Sequence, residues 1–153
     1  MGGDEVSAEA AGPASALLLL DTHVVLWATF SDARLGRQAA KAINLASREG
    51  RLTISAITPW EIGLLVSKKR INLYKDVLEW VRSALAKPGV VLAPLDPEIA
   101  VESTRLSFEM HPDPADRIIV ATARHLGATL VTADAALLAL AKKGNFKALN
   151  AER

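Results

Sequence analysis

The stretch HPDPADRIIVATARHLGATLVTADAAL, His111 to Leu137, holds a helix, a strand and the start of a second helix in its residue order alone. Asp113-Pro114 has the shape of a helix start, with an acid to cap and a proline where no N–H is needed. Apolar and small residues then run to about His125, and Gly127 stops the helix. Thr129-Leu-Val-Thr132 reads as a short strand, and Asp134 opens a helix that Gly144 ends. Helix feeding strand feeding helix is the grammar of a parallel α/β sheet.

Outward from this unit the alternation repeats. Ala16 to Leu20 is an unbroken apolar run ending in Asp21, which suits a strand buried on both faces. His23 to Phe30 begins a packed helix or loop. Arg34 to Glu49 is a helix, because Leu35, Ala39, Ile43 and Ala46 recur at spacings of three and four. Leu52 to Ile54 is a second strand and Ser55 to Val66 a helix, followed by the basic run Lys68-Lys69-Arg70. Lys75 to Leu85 is helical, Pro88-Gly89 a turn, Val90 to Ala93 a third strand and Pro97 to Phe108 a helix. Phe146 to Leu149 gives a short fifth strand. The succession predicts an α/β sandwich around a parallel sheet. Residues 1–15 are small, polar and broken by Gly and Pro, which predicts a flexible tail ahead of one domain at 16–150.

Composition narrows the chemistry. The 153 residues contain no cysteine, which excludes a disulfide scaffold, a thiolate zinc site and a cysteine nucleophile. The three histidines, His23, His111 and His125, form no HExxH pair. A formal net charge of +1 gives no bulk basicity, so any nucleic-acid attraction has to be local. No apolar run approaches the roughly 18 residues that span a bilayer. The acidic residues ahead of Ala16 make the wrong flank for a signal peptide. A soluble, cytoplasmic protein with no membrane partner is the expectation.

Four acids stand at comparable places. Asp21 and Asp134 follow strands, Asp116 lies in a first helical turn, and Glu61 lies in the helix after the second strand. Ligands of open parallel sheets bind outside the carboxyl ends of the strands, so adjacent first and fourth strands would make these acids converge. Each also has a plainer use. Asp21, Asp113 and Asp134 fit helix caps, and Thr58-Pro59-Trp60-Glu61 fits a capping box. Capping leaves Glu61 unexplained, since with Ile57, Leu64 and Leu65 it sits on an otherwise apolar stripe. Close carboxylates repel by about 4 kcal/mol per pair at 4 Å and a dielectric near 20, so a cluster calls for a cation. All-oxygen donors select Mg²⁺ or Mn²⁺, whose chemistry on phosphodiesters is assisted hydrolysis.

With these residues in view, LLLLDTHVVLWA (Leu17 to Ala28), SAITPWEIGLLVSKKRI (Ser55 to Ile71) and the His111–Leu137 stretch together resemble a PIN domain. Within that family the resemblance is to VapC-like toxins of type II toxin–antitoxin systems. It runs from about Leu17 to Leu149. It implies a three-layer α/β sandwich with a central five-stranded parallel sheet, and a Mg²⁺- or Mn²⁺-dependent endoribonuclease. It also implies an RNA substrate, a cognate antitoxin and a homodimer. Position by position it assigns the metal to Asp21, Glu61, Asp116 and Asp134. Asp113 and Thr132 are auxiliary candidates, the first against a capping role and the second against an ordinary strand threonine. Ala115 departs from the family, whose members often have an aromatic there.

Arg117 is a candidate phosphate contact, with a solvated ion pair as the alternative. Lys68, Lys69 and Arg70 are candidate RNA contacts, with completion of a helix dipole as the alternative. Trp27, Trp60 and Trp80 read as core or interface, His23 as packing beside the acids, and His111 as an ordinary loop residue. A housekeeping RNA-processing nuclease and a non-catalytic RNA- or protein-binding module are the competing functions, the latter requiring the loss of an acid. A haloacid-dehalogenase-type phosphatase requires an Asp two residues after Asp21, where this chain has His23.

Overall fold

In the computed structural model, which describes residues 16–153, strand β1 (Leu18–Leu20) lies at the centre of a five-stranded sheet. The expected tail at residues 1–15 lies outside the described residues. All three β1 residues are buried, as the unbroken leucine run requires. Their side chains alternate: Leu18 and Leu20 enter one core and Leu19 the other. β2 (Leu52–Ser55) and β4 (Thr129–Thr132) flank β1, with Leu20 opposite Ile54 and Val131. β3 (Val90–Ala93) and β5 (Lys147–Asn150) form the edges, so the order is β3-β2-β1-β4-β5, every pair parallel.

Helices α1 (Thr22–Thr29), α2 (Arg37–Arg48), α3 (Ile57–Ser67), α4 (Val77–Leu85), α5 (Pro97–Glu102), α6 (Pro114–Leu126) and α7 (Ala135–Lys142) cover the two faces. Val24, Ile43, Ile62 and Trp80 pack with Leu20 and Ile54 on one side. Ile119, Val120, Leu137 and Phe146 pack with Leu19 and Leu130 on the other. Each fully buried Leu or Ile contributes roughly 1.5–3 kcal/mol, so both leucine faces of β1 anchor a layer. This is the α/β sandwich the sequence pattern predicts, in the three-layer, five-stranded form the resemblance implies. The chain builds β1, β2 and β3 in one direction, then returns to place β4 on the opposite side of β1. That reversal leaves a crevice beyond the carboxyl ends of β1 and β4.

Two elements differ from expectation. The helix expected over Pro97 to Phe108 ends at Glu102. The hydroxyls of Ser103 and Thr104 bond back to the carbonyls of Ala100 and Val101, which competes with helix continuation. Helix α3 starts at Ile57, and Ser55 Oγ accepts the Ile57 N–H at 3.1 Å, so Thr58 is not its cap. Pro59 falls within the first turn, where its missing N–H costs nothing. The capping box is therefore absent, and Thr58 is free for other work. At the far end, Gly36 N–H donates to Ala151 O at 2.9 Å and Ala39 N–H to Arg153 O at 2.9 Å. A Cβ on Gly36 would stand 2.0 Å from Arg153 O, so this docking requires glycine.

Candidate active site

Asp21 ends β1 and caps α1, its side chain accepting the Thr22 N–H at 2.8 Å through Oδ1. Its own N–H donates to Val131 O at 3.0 Å, which ties it to β4. Oδ2 accepts from Thr132 Oγ1 at 2.8 Å, and the residue is only 4% exposed. Thr132 then accepts the Asp134 N–H at 3.0 Å, so one buried hydroxyl couples the acids of both strand ends. His23 Nε2 accepts the Ala133 N–H at 3.0 Å, which leaves the ring proton on Nδ1, 3.6 Å from Asp21 Oδ2. His23 thus supports Asp21 while its ring packs edge-on to Trp27.

Glu61 approaches from α3. Thr22 Oγ1 donates to Glu61 Oε1 and lies 3.0 Å from Thr58 Oγ1. Since a hydroxyl has one proton, Thr58 donates to Thr22 and Thr22 to Glu61, a relay that aims the carboxylate. Burial raises the Glu61 pKa, the Thr22 hydrogen bond lowers it, and the charges of Asp21 and Asp113 raise it further.

Asp116 stands in the first turn of α6, and Asp113 caps that helix by accepting from Ala115 N–H at 2.9 Å. Burial, then Asp21, Asp113, Glu61 and Asp134 in turn, push the Asp116 pKa up to about 7. Asp134 caps α7 through Oδ1, which accepts from Ala136 and Leu137 N–H at 2.8 and 3.1 Å. Capping and convergence therefore coexist. One carboxylate oxygen serves a helix while the group as a whole faces the others.

Among the described residues none of these five acids pairs with a lysine or arginine; the basic side chains beside them are the imidazoles of His23 and His111. Such a concentration of like charge, with oxygen donors and no thiolate, fits a hard divalent cation.

The other candidates divide. Arg117 does not face the crevice: Nε donates to Ser103 O at 2.8 Å and a terminal nitrogen to Met110 O at 3.3 Å, so it clamps a loop to α6. Lys68, Lys69 and Arg70 are exposed at the carboxyl end of α3. Trp27 and Trp80 are core residues, whereas Trp60 is 56% exposed beside Glu61 and belongs to no core. Sequence reasoning treats His111 as an ordinary loop residue, yet its Nε2 lies 3.3 Å from Asp116 Oδ2. The Thr22–Thr58 relay is also absent from that reading, although Thr22 directly follows an assigned acid.

The sequence pattern of the PIN domain family matches residues 18–149. Ribonuclease VapC22 of Mycobacterium tuberculosis is 35% identical over 117 residues, which cover 76% of this chain and 86% of that protein. Among solved structures, VapBC2 from Rickettsia felis bound to a promoter DNA fragment aligns with a TM-score of 0.59 at 16% identity, covering 88% of this chain and 98% of that one. FitAcB from Neisseria gonorrhoeae aligns with a TM-score of 0.57 at 22% identity, covering 88% and 97%. At such identities the two structures speak for the fold, and the sequence matches speak for the family. The chain belongs to the PIN domain family.

Proposed function

We propose that the protein is a divalent-metal-dependent endoribonuclease and the toxin of a type II toxin–antitoxin pair, working in the cytoplasm. The observation that carries the chemistry is a crevice in which Asp21, Glu61, Asp116 and Asp134 share one field, with no lysine or arginine among the described residues to balance them. These four residues would hold the ion, Mg²⁺ or Mn²⁺, with Asp113 close enough to add charge. When bound, such an ion supplies Lewis acidity to a phosphodiester and positive charge for its leaving oxygen.

The protein's own part is positioning. Thr132 and the Thr22 N–H fix both oxygens of Asp21, and the Thr58–Thr22 relay fixes Glu61. The dipoles of α6 and α7 begin at the site and favour negative charge there, which offsets part of the repulsion. Unpaired RNA loops supply a backbone that can enter a crevice of this kind.

The ribonuclease reading draws support from the name of the mycobacterial relative, Ribonuclease VapC22, and the toxin role from the VapC-like motifs of the sequence. A homodimer and a cognate antitoxin belong to the same proposal. A non-catalytic module requires a lost acid, and all four are present.

The test uses purified protein freed of antitoxin, a tRNA and rRNA panel, and Mg²⁺ or Mn²⁺. Cleavage should vanish in EDTA and in Asp21→Asn. Expression should arrest growth in wild type, and a co-expressed antitoxin or Asp21→Asn should relieve the arrest. Cleavage that persists in excess EDTA, or equal toxicity of the two proteins, overturns the proposal.

A further inference from the structure

We infer that His111 is itself a ligand of the divalent ion and tilts the centre toward Mn²⁺ over Mg²⁺; the inference rests on the metal-centre reading above. His111, Asp116 and Asp134 each offer one ligand atom, and these atoms all lie within 4.8 Å of one another. Nε2 of His111 is 3.3 Å from Asp116 Oδ2. At metal–ligand bonds of about 2.1–2.2 Å, neighbouring ligands of one ion stand about 3 Å apart and opposite ones about 4.4 Å. The observed spacing is that of donors able to share an ion.

The placement of His111 is built into the fold. Arg117, one residue after Asp116, donates to the carbonyl of Met110, one residue before His111, and to that of Ser103. The histidine's backbone is thereby tied to the same helical turn that carries Asp116. The other histidine of the site is used differently. His23 Nε2 is occupied by the Ala133 N–H, so its ring offers no free lone pair on that side. His111 Nε2 has no such backbone donor among the described residues and stands beside Asp116, with a ring nitrogen of His111 also within reach of Asp134.

An imidazole nitrogen changes the selectivity of an oxygen site. Mg²⁺ favours near-ideal octahedral oxygen ligation, whereas first-row transition ions accept imidazole nitrogen readily. A single nitrogen among carboxylates therefore strengthens binding of Mn²⁺ more than of Mg²⁺.

The experiment is pulsed EPR of Mn²⁺ bound to the full chain, with calorimetric titration of Mn²⁺ and Mg²⁺. Wild type should show nitrogen modulation of the Mn²⁺ signal, and incorporation of ¹⁵N-histidine should shift its frequency. The modulation should disappear in His111→Gln and persist in His23→Gln. His111→Gln should weaken Mn²⁺ binding by at least about 10- to 100-fold, the loss typical when even an outer partner of a ligand is removed, and Mg²⁺ binding less. Should His111→Gln fail to fold, the ¹⁵N shift in wild type and the result for His23→Gln still decide. Bound Mn²⁺ without nitrogen modulation, or modulation that survives His111→Gln, overturns the role of His111 and leaves the carboxylate centre intact. Failure of wild type to bind Mn²⁺ at all overturns both.

Discussion

Asp116 gives its contribution to metal-free stability a definite pH dependence. Its carboxyl, ordinarily near 3.8, is pushed up to about 7 by burial and by four other acids. Between those values the folded protein keeps a proton that the unfolded chain has released. Below about pH 4 both forms are protonated and the group contributes nothing. As pH rises toward 7 the unfolded chain gains by ionising, so stability is lost progressively, and above about pH 7 the loss is complete. In EDTA the melting temperature should therefore fall across this window, and Asp116→Asn should flatten the fall. At about pH 8 the variant is expected to be more stable than wild type by on the order of 1 kcal/mol, after screening of a partly exposed group. Its place in the first turn of α6 pulls the other way by about 0.3–1 kcal/mol, which burial and four like charges outweigh. Mn²⁺ should then stabilise wild type more than the variant, because it binds only the folded, fully liganded form. Melts in EDTA and in Mn²⁺ from about pH 5 to 8 check both halves. A variant less stable than wild type in EDTA at about pH 8 reduces Asp116 to a helix-start residue.

At the scale of elements, the junction of β4 and α7 holds the crevice together through one hydroxyl. Thr132 is fully buried, donates to Asp21 and accepts from the Asp134 N–H. Thr132→Val keeps the shape and removes both bonds, leaving a half-buried N–H and a buried carboxylate oxygen short of a partner. The expected cost is about 1–3 kcal/mol in chemical denaturation. Metal affinity should fall about 10- to 100-fold, as when an outer partner of a ligand is removed. Thr132→Ser should recover most of both, and a Val variant with unchanged affinity would make Thr132 an ordinary strand residue. This junction also shows which parts of the site were legible in the sequence. Asp21 and Asp134 were legible because each directly follows a continuous apolar strand, and strand polarity fixes which end they share. Glu61 was legible because it breaks an apolar stripe. Thr58 reads as a cap in sequence, but α3 starts one residue earlier at Ile57, whose N–H is taken by Ser55 Oγ through an i, i+2 bond that no periodicity announces. The approach of His111 to Asp116 is not legible for a related reason. Residues 109–113 carry no helical or strand period, the helix expected through Phe108 stops at Glu102, and the path between is tied by hydrogen bonds from Arg117 across up to 14 residues. The same bonds give the Arg117 guanidinium a use within the fold that its place after Asp116 does not announce.

At the scale of the molecule, a near-neutral chain concentrates negative charge at the very crevice a polyanion must enter. RNA has to be drawn in by cations placed elsewhere, and Lys68, Lys69 and Arg70 form the basic cluster nearest in sequence to a site acid. They follow Glu61 by seven to nine residues. Along α3, at 1.5 Å per residue, that places Lys68 about 10 Å from Glu61, a span of one or two nucleotides. All three are exposed, and Lys69 has a φ of 58°, so the chain turns sharply there and fans the side chains out beyond the last helical turn. The alternative is that they only complement the carboxyl end of the α3 dipole. The two differ in what salt does to binding. Each phosphate neutralised on single-stranded RNA contributes about 0.7 to the slope of log K against log salt, so replacing all three with Ser should flatten that slope by up to about 2. Metal affinity, measured by calorimetry without RNA, should stay where it is, because the run touches none of the acids. The measurement is RNA binding by the Asp21→Asn protein, with and without the triple change, from low to moderate salt. A flatter slope with intact metal binding assigns the run to the substrate path. An unchanged slope returns it to the solvated end of a helix and moves the search for the RNA track to another face.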